Sequence, residues 1–172
     1  MGPATEPFIR WMCSMDLNQV LEIEADSFEF PWSERDLLRA LQQRNTIGMV
    51  VEAGRGIAGY MLYELHPKRL HLLNLAVDTS CRRQGVGTSM IRKLVGKLSS
   101  DRRKRILLEV RERNLPAQLF FRSHGFKAID VLSDFYDDTT EDAYLFERKY
   151  SAPTPVAPSM FAQFASEHGA TK

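Results

Sequence analysis

Residues 73–98 read LNLAVDTSCRRQGVGTSMIRKLVGKL. The start of this stretch closes an almost wholly apolar run over residues 70–77, the mark of a strand buried on both faces. Its end places Met90, Ile91, Leu94, Val95 and Leu98 on one helical stripe, with Arg92, Lys93 and Lys97 on the outer face. Between them lies CRRQGVG, residues 81–87, with two glycines one residue apart. A helix N-terminus presents unpaired N–H groups and the positive end of a dipole. Glycine lets a ligand approach that backbone closely. A pyrophosphate is the natural guest; the plainer reading is a tight turn.

Outward from this unit the pattern is consistent with one α/β domain. Upstream, Asp16-x-x-Gln19 resembles a capping box, followed by Leu17, Val20, Leu21, Ala25 and Phe28 at helical spacing. Pro31 stops that helix, and Ser33-x-x-Asp36 starts another with Leu37, Leu38 and Leu41 behind it. Residues 1–15 read as a lead-in. Residues 46–53 and 57–65 form a predicted hairpin around Gly54-Arg55-Gly56. Downstream, residues 105–110 are strand-like. Asn114 caps a helix with Pro116 in its first turn, and Gly125 ends it. Residues 126–132 and 143–150 are two final strands joined by an acidic loop. The element order gives a single α/β domain on a mixed sheet. The domain spans residues 1–150, and the Ala/Pro-rich residues 151–172 read as a flexible tail.

Composition bounds the function. The chain has 172 residues, a net charge of +1 and only two cysteines, Cys13 and Cys81. The length suits a single core. The weak net field argues against direct nucleic-acid binding. The basic run 102–105, with Arg92, Lys93 and Lys97, lacks the interleaved aromatics that base stacking needs. No apolar run reaches the roughly 18 residues of a membrane span. Glu6 stands where a myristoylation signal requires Ser or Thr. Two cysteines are too few for a disulfide scaffold or a cysteine-rich zinc site. A reduced, cytoplasmic protein without a metal, monomeric or weakly dimeric, is expected.

The glycine loop is neither a P-loop, which needs Gly-Lys-Ser/Thr, nor a dinucleotide fingerprint, which needs a third glycine where Met90 stands. Arg82-x-x-Gly85-x-Gly87 resembles the acetyl-CoA loop of the GCN5-related N-acetyltransferase (GNAT) superfamily. Further pieces match in family order: Phe30-Pro31-Trp32-Ser33, Leu73-Asn74-Leu75-Ala76-Val77-Asp78, Leu108-Glu109-Val110-Arg111, Asn114, and Phe121-x-x-x-Gly125-Phe126. This ordered set resembles RimI-type enzymes, which acetylate the N-terminal alanine of a ribosomal protein.

The resemblance implies a GNAT fold, a mixed, mostly antiparallel sheet of about six to seven strands flanked by about four helices and splayed to admit acetyl-CoA. The backbone amides of Arg83, Gln84, Gly85, Val86, Gly87 and Thr88 would hold the pyrophosphate, with Arg82 binding the cofactor beside them. Leu75, Ala76 and Val77 would run beside the pantetheine arm, with the Val77 N–H as oxyanion donor. Asn114 would reach the reactive end or serve only as a helix cap. Glu109 would be the general base, with apolar neighbours Leu108 and Val110 raising its carboxyl. The family's acid is a tyrosine, but the matching position here is Phe121, a core aromatic. Either the thiolate leaves unaided, at a thiol pKa of about 8.5, or Tyr136 substitutes, or turnover is slow. His124 reads as a helix C-terminal cap. Trp32 and Tyr136 are the substrate-side candidates, Trp32 being either an aromatic wall or a staple for the second helix. Asp134, Asp137, Asp138, Glu141 and Asp142 would attract a cationic N-terminus or simply face solvent. The expected acceptor is a protein or peptide N-terminus, a ribosomal protein among the candidates. The alternatives are a lysine or small amine, or a weakly catalytic acetyl-CoA binder.

Overall fold

The structure is a computed structural model that describes residues 7–152 apart from Arg55. All but the first two residues of the expected tail lie outside this range. Seven strands form one sheet in the order β1-β2-β3-β4-β5-β7-β6. They are β1 (Phe8–Trp11), β2 (Thr46–Ala53), β3 (Gly56–Leu65), β4 (Arg69–Val77), β5 (Arg105–Arg111), β6 (Lys127–Leu132) and β7 (Ala143–Lys149). Four helices cover it: α1 (Leu17–Ser27), α2 (Glu34–Leu41), α3 (Val86–Val95) and α4 (Leu115–Ser123).

The sheet separates two apolar cores. On one face α3 and α4 bring Met90, Leu94 and Phe121 against Met61, Leu72 and Leu108. On the other, α1 and α2 bring Val20, Ile23 and Leu37 against Val50, Tyr60 and Leu62. The alternating strand pattern assigns each side chain to one core, and the two layers together bury the continuous β3 and β4 runs.

Helix boundaries follow local chemistry. Ser33 Oγ accepts from the Asp36 N–H while the Ser33 N–H donates to Asp36 Oδ2, a full capping box at α2. Asn114 Oδ1 accepts from the Ala117 N–H at 3.1 Å. At the other end of α4, Gly125 has φ +81°, and the N–H groups of Gly125 and Phe126 donate to the Arg122 and Phe121 carbonyls. That is a Schellman stop, with His124 as the C-cap.

Two expectations are corrected. Part of the lead-in is a strand: β1 pairs antiparallel with β2, Phe8 opposite Glu52. Asp16 does not cap α1 with its side chain. Its carboxylate instead accepts from the Cys13 N–H at 2.8 Å and from the Arg10 guanidinium at 2.7 and 2.8 Å. A charged partner and an upstream turn outcompete the downstream amides.

All neighbouring strands are antiparallel except β4 and β5, which run parallel and pair only at Arg69, Leu70 and His71 opposite Arg105, Ile106 and Leu107. Beyond these pairs, residues 72–77 of β4 and 108–111 of β5 are not paired to each other. The sheet is therefore open in its middle, and that opening positions the site.

Candidate active site

A groove of about 950 Å³ runs through the opening. Residues 72–75 of β4 form one wall and 108–111 of β5 the other. Phe28, Phe30 and Trp32 close it from the α1–α2 connection, and Tyr136 and Asp138 from the β6–β7 loop. Asn114 and Phe121 reach it from α4.

Backbone geometry fixes which β4 groups face the opening. The Asp78 N–H donates to the Ala58 carbonyl on the β3 side at 2.9 Å. Alternation then turns the N–H groups of Leu75 and Val77 to the other edge, toward β5. Ala76 is buried against β3, opposite Tyr60. The Val77 carbonyl is occupied: Arg82 Nε donates to it at 3.0 Å, and Arg82 Nη2 donates to Ser27 Oγ at 3.1 Å. The Arg82 side chain thus ties the end of β4 to the end of α1.

The CRRQGVG loop enters α3 through Arg83 at φ +63° and Gly85 at φ +84°. Among the described residues, no protein acceptor lies in hydrogen-bonding geometry to the N–H groups of residues 83–88. A row of free amides at a helix N-terminus fits a pyrophosphate. Gln84 is fixed by donating to the Ser80 carbonyl at 2.9 Å. The two glycines have different reasons. Gly85 is required by its left-handed backbone, since a Cβ there would meet nothing within 4 Å. At Gly87 a Cβ would stand 3.0 Å from Phe120 Cζ, so its bareness lets α3 approach α4. His124 Nε2 and Thr88 Oγ1, 3.0 Å apart, join the same two helices, and Val86 is buried beneath them.

Glu109 lines the groove and pairs through Oε2 with His71 Nε2 at 2.7 Å. Leu108 and Val110 are buried in the opposite core, so strand alternation removes the apolar neighbours expected around its carboxyl. His71 takes their place. The Glu109 hydrogen bond outweighs burial and raises the His71 pKa.

Two further groove residues, Glu24 and Arg111, are given no role by the sequence patterns. Glu24, 3% exposed, accepts from the Trp32 N–H at 2.8 Å, from Asn74 Nδ2 at 3.1 and 3.2 Å, and from the Tyr60 hydroxyl. Burial raises its pKa against the opposing effect of the Trp32 and Asn74 donors. The only hint was a carboxylate one helical turn beyond Val20 on the apolar stripe. Arg111 stacks over Tyr136 with 3.7 Å from Cζ to the ring centroid, and over Phe30 at 4.8 Å. It also donates to Asp138 at 2.6 Å and to Glu141 at 3.3 Å, so part of the acidic loop is spent on holding itself to β5. Burial pushes the Tyr136 phenol up to about 12. Phe121 stacks edge-on with Phe120 and Phe126 as a core aromatic.

Groove electrostatics favour a cation. Its lining holds five carboxylates (Glu24, Glu29, Asp36, Glu109, Asp138) and two guanidiniums, Arg39 and Arg111. The opened strands, the free amides and the anionic groove together fit a nucleotide thioester on one side and an amine on the other.

Comparison with known proteins agrees. The sequence profile described as the acetyltransferase (GNAT) family matches residues 17–126. A Bacillus subtilis protein named putative [ribosomal protein bS18]-alanine N-acetyltransferase is 29% identical over 142 residues, 82% of this chain and 94% of its own length. The Escherichia coli K12 [ribosomal protein bS18]-alanine N-acetyltransferase is 28% identical over 132 residues, covering 76% and 88%. The crystal structure of the ribosomal-protein-S18-alanine N-acetyltransferase from Escherichia coli superposes with a TM-score of 0.75 at 25% identity, over 88% of this chain and 99% of that one. The chain therefore belongs to the acetyltransferase (GNAT) family and is an N-acetyltransferase that uses acetyl-CoA.

Proposed function

We propose that the chain acetylates the N-terminal α-amine of a protein, with an alanine N-terminus of a ribosomal protein as the leading substrate. The observation that carries this reading is the carboxylate-rich groove that meets Glu109 where β4 and β5 part. The names of the Bacillus and Escherichia relatives supply the substrate class. Such work belongs in the cytoplasm. No helix among the described residues is long and apolar enough to cross a membrane.

Acetyl-CoA supplies an acyl group activated as a thioester. In this reading the amides of residues 83–88 and the flanking Arg82 hold its pyrophosphate. Leu75, Ala76 and Val77 run beside its pantetheine arm, and the Val77 N–H donates to the acyl oxygen as it gains charge. Asn114 sits at the reactive end while keeping its cap. Trp32 and Tyr136 wall the acceptor side. Glu109 takes a proton from the amine, directly or through one water. The reaction joins an ammonium and a thioester into an amide and a thiol and releases one proton.

Phe121 cannot donate a proton, and Tyr136 is a poor substitute. Moving a proton from a phenol near 12 to a thiolate whose acid is near 8.5 costs about 5 kcal/mol. The thiolate leaves unaided, and the Tyr136 hydroxyl serves as a hydrogen-bond donor to the acceptor. Mixing the protein with acetyl-CoA and a peptide panel, and following thiol release, tests the reading. Release is expected with free Ala-starting peptides and not with the same peptides blocked at the N-terminus. Release only with internal lysines or small amines would overturn it.

A further inference from the structure

Beside the groove, on the α1–α2 face of the sheet, stand groups the transfer does not use. Glu64, near the end of β3, lies opposite His71 of β4 in register, and His66 follows in the turn between these strands. One ligand atom from each of Glu64, His66 and His71 lies within 4.8 Å of the others. We propose that these three residues bind a zinc-class divalent cation, and that its occupancy restrains Glu109.

The geometry suits four-coordination. A tetrahedral ion with ligands near 2.1 Å sets its ligand atoms about 3.4 Å apart. Glu64 Oε2 is 2.8 Å from His66 Nε2 and 3.8 Å from His71 Nδ1, which brackets that value. Each of the three side chains is about a quarter exposed, which leaves access for an ion and room for water as the fourth ligand. Two imidazoles and a carboxylate select zinc or cobalt over calcium or magnesium.

His71 is already oriented for the task. Its Nε2 is 2.7 Å from Glu109, which assigns the Nε2–H to that bond in the neutral ring. The Nδ1 lone pair then faces the Glu64 carboxylate at 3.8 Å, acceptor toward acceptor and too far for a hydrogen bond. A cation between them turns that mismatch into two ligations. Glu109 becomes the outer partner of a carboxylate–histidine–metal arrangement, which typically strengthens binding 10–100-fold. The His66 carbonyl accepts from Arg103 Nε at 3.1 Å, which holds the turn. Glu64 and Glu109 offset the divalent charge, and Arg69 opposes it.

Only the effect on turnover rests on Glu109 being the base, and binding is read without turnover. Tag-free protein would be titrated with cobalt(II) and followed by visible absorption, then competed with zinc. One equivalent with the intense spectrum of a four-coordinate ion is expected, displaced by zinc. Glu64→Gln and His66→Ala, checked for fold by circular dichroism, should each lose at least 100-fold in affinity. Glu109→Gln should keep the site but weaken it about 10–100-fold. Zinc should slow acetyl transfer by the parent protein but not by His66→Ala. Three results would overturn the site: no stoichiometric binding, binding unchanged in His66→Ala, or a thiolate-to-cobalt band placing the ion on Cys13 or Cys81. Binding without slowed turnover would overturn the link to Glu109.

Discussion

Glu24→Ala is the most informative change to the scaffold of the groove. The carboxylate satisfies three donors at once: the Trp32 N–H, the Asn74 amide and the Tyr60 hydroxyl. Tyr60 is 1% exposed, so its orphaned hydroxyl takes the full penalty of about 1–3 kcal/mol. Trp32 and Asn74 line the groove and can turn to water, which limits each loss to about 0.5–1.5 kcal/mol. Removing a buried carboxylate returns part of this, because burial disfavours its charge. The net cost is about 2–4 kcal/mol, read as a lower urea midpoint at unchanged slope. Glu24→Gln separates charge from shape. With its pKa raised, folded Glu24 holds a proton longer than the unfolded chain does. Parent stability should therefore fall, relative to Glu24→Gln, as pH rises from the ordinary glutamate value of about 4.3 through the raised one. A loss under about 0.5 kcal/mol in the alanine variant, or a parent-minus-glutamine difference flat in pH, would refute this reasoning.

Other consequences follow from single contacts. Asp16 is held well below the usual carboxylate range, first by its hydrogen bond to Arg10. Its stabilising effect should be complete above about pH 4 and drain away below it, so acid unfolding curves of Asp16→Asn should be shallower than those of the parent. Gly85→Ala should cost about 1–2 kcal/mol through its φ of +84° alone, seen as a lowered urea midpoint. Phe121→Tyr restores a hydroxyl near the groove. If the thiolate leaves unaided, kcat should change by less than about tenfold, well short of the 10²–10⁴ of a working general acid.

The parts of this protein written in contiguous residues were legible in the sequence. The β4–loop–α3 unit, the Asn114 cap and the Gly125 stop each depend on neighbours a few positions away, and each stands where its pattern puts it, save that α3 ends at Val95, short of Lys97 and Leu98. β1 was hidden because four residues are too few to show alternation, and its partner lies some forty residues on. Glu109 was visible, but its surroundings were misjudged: Leu108 and Val110 adjoin it in the chain and face the opposite core. Its actual partner, His71, is placed by a parallel pairing that no local pattern encodes. Glu24 was missed for the same reason, since Asn74 and Tyr60 reach it from strands far along the chain. Gly87 was assigned to ligand approach, while Phe120 shows a packing need as well.

The central claim is that Glu109 accepts the proton of an N-terminal amine in the opening between β4 and β5. The direct measurement is kcat for an Ala-starting peptide in the parent and in Glu109→Gln, alongside the Kd for acetyl-CoA in each. The account predicts a kcat lower by about 10²–10⁴-fold at an unchanged Kd. A fall of less than about tenfold, or a loss that tracks weakened acetyl-CoA binding, would contradict it.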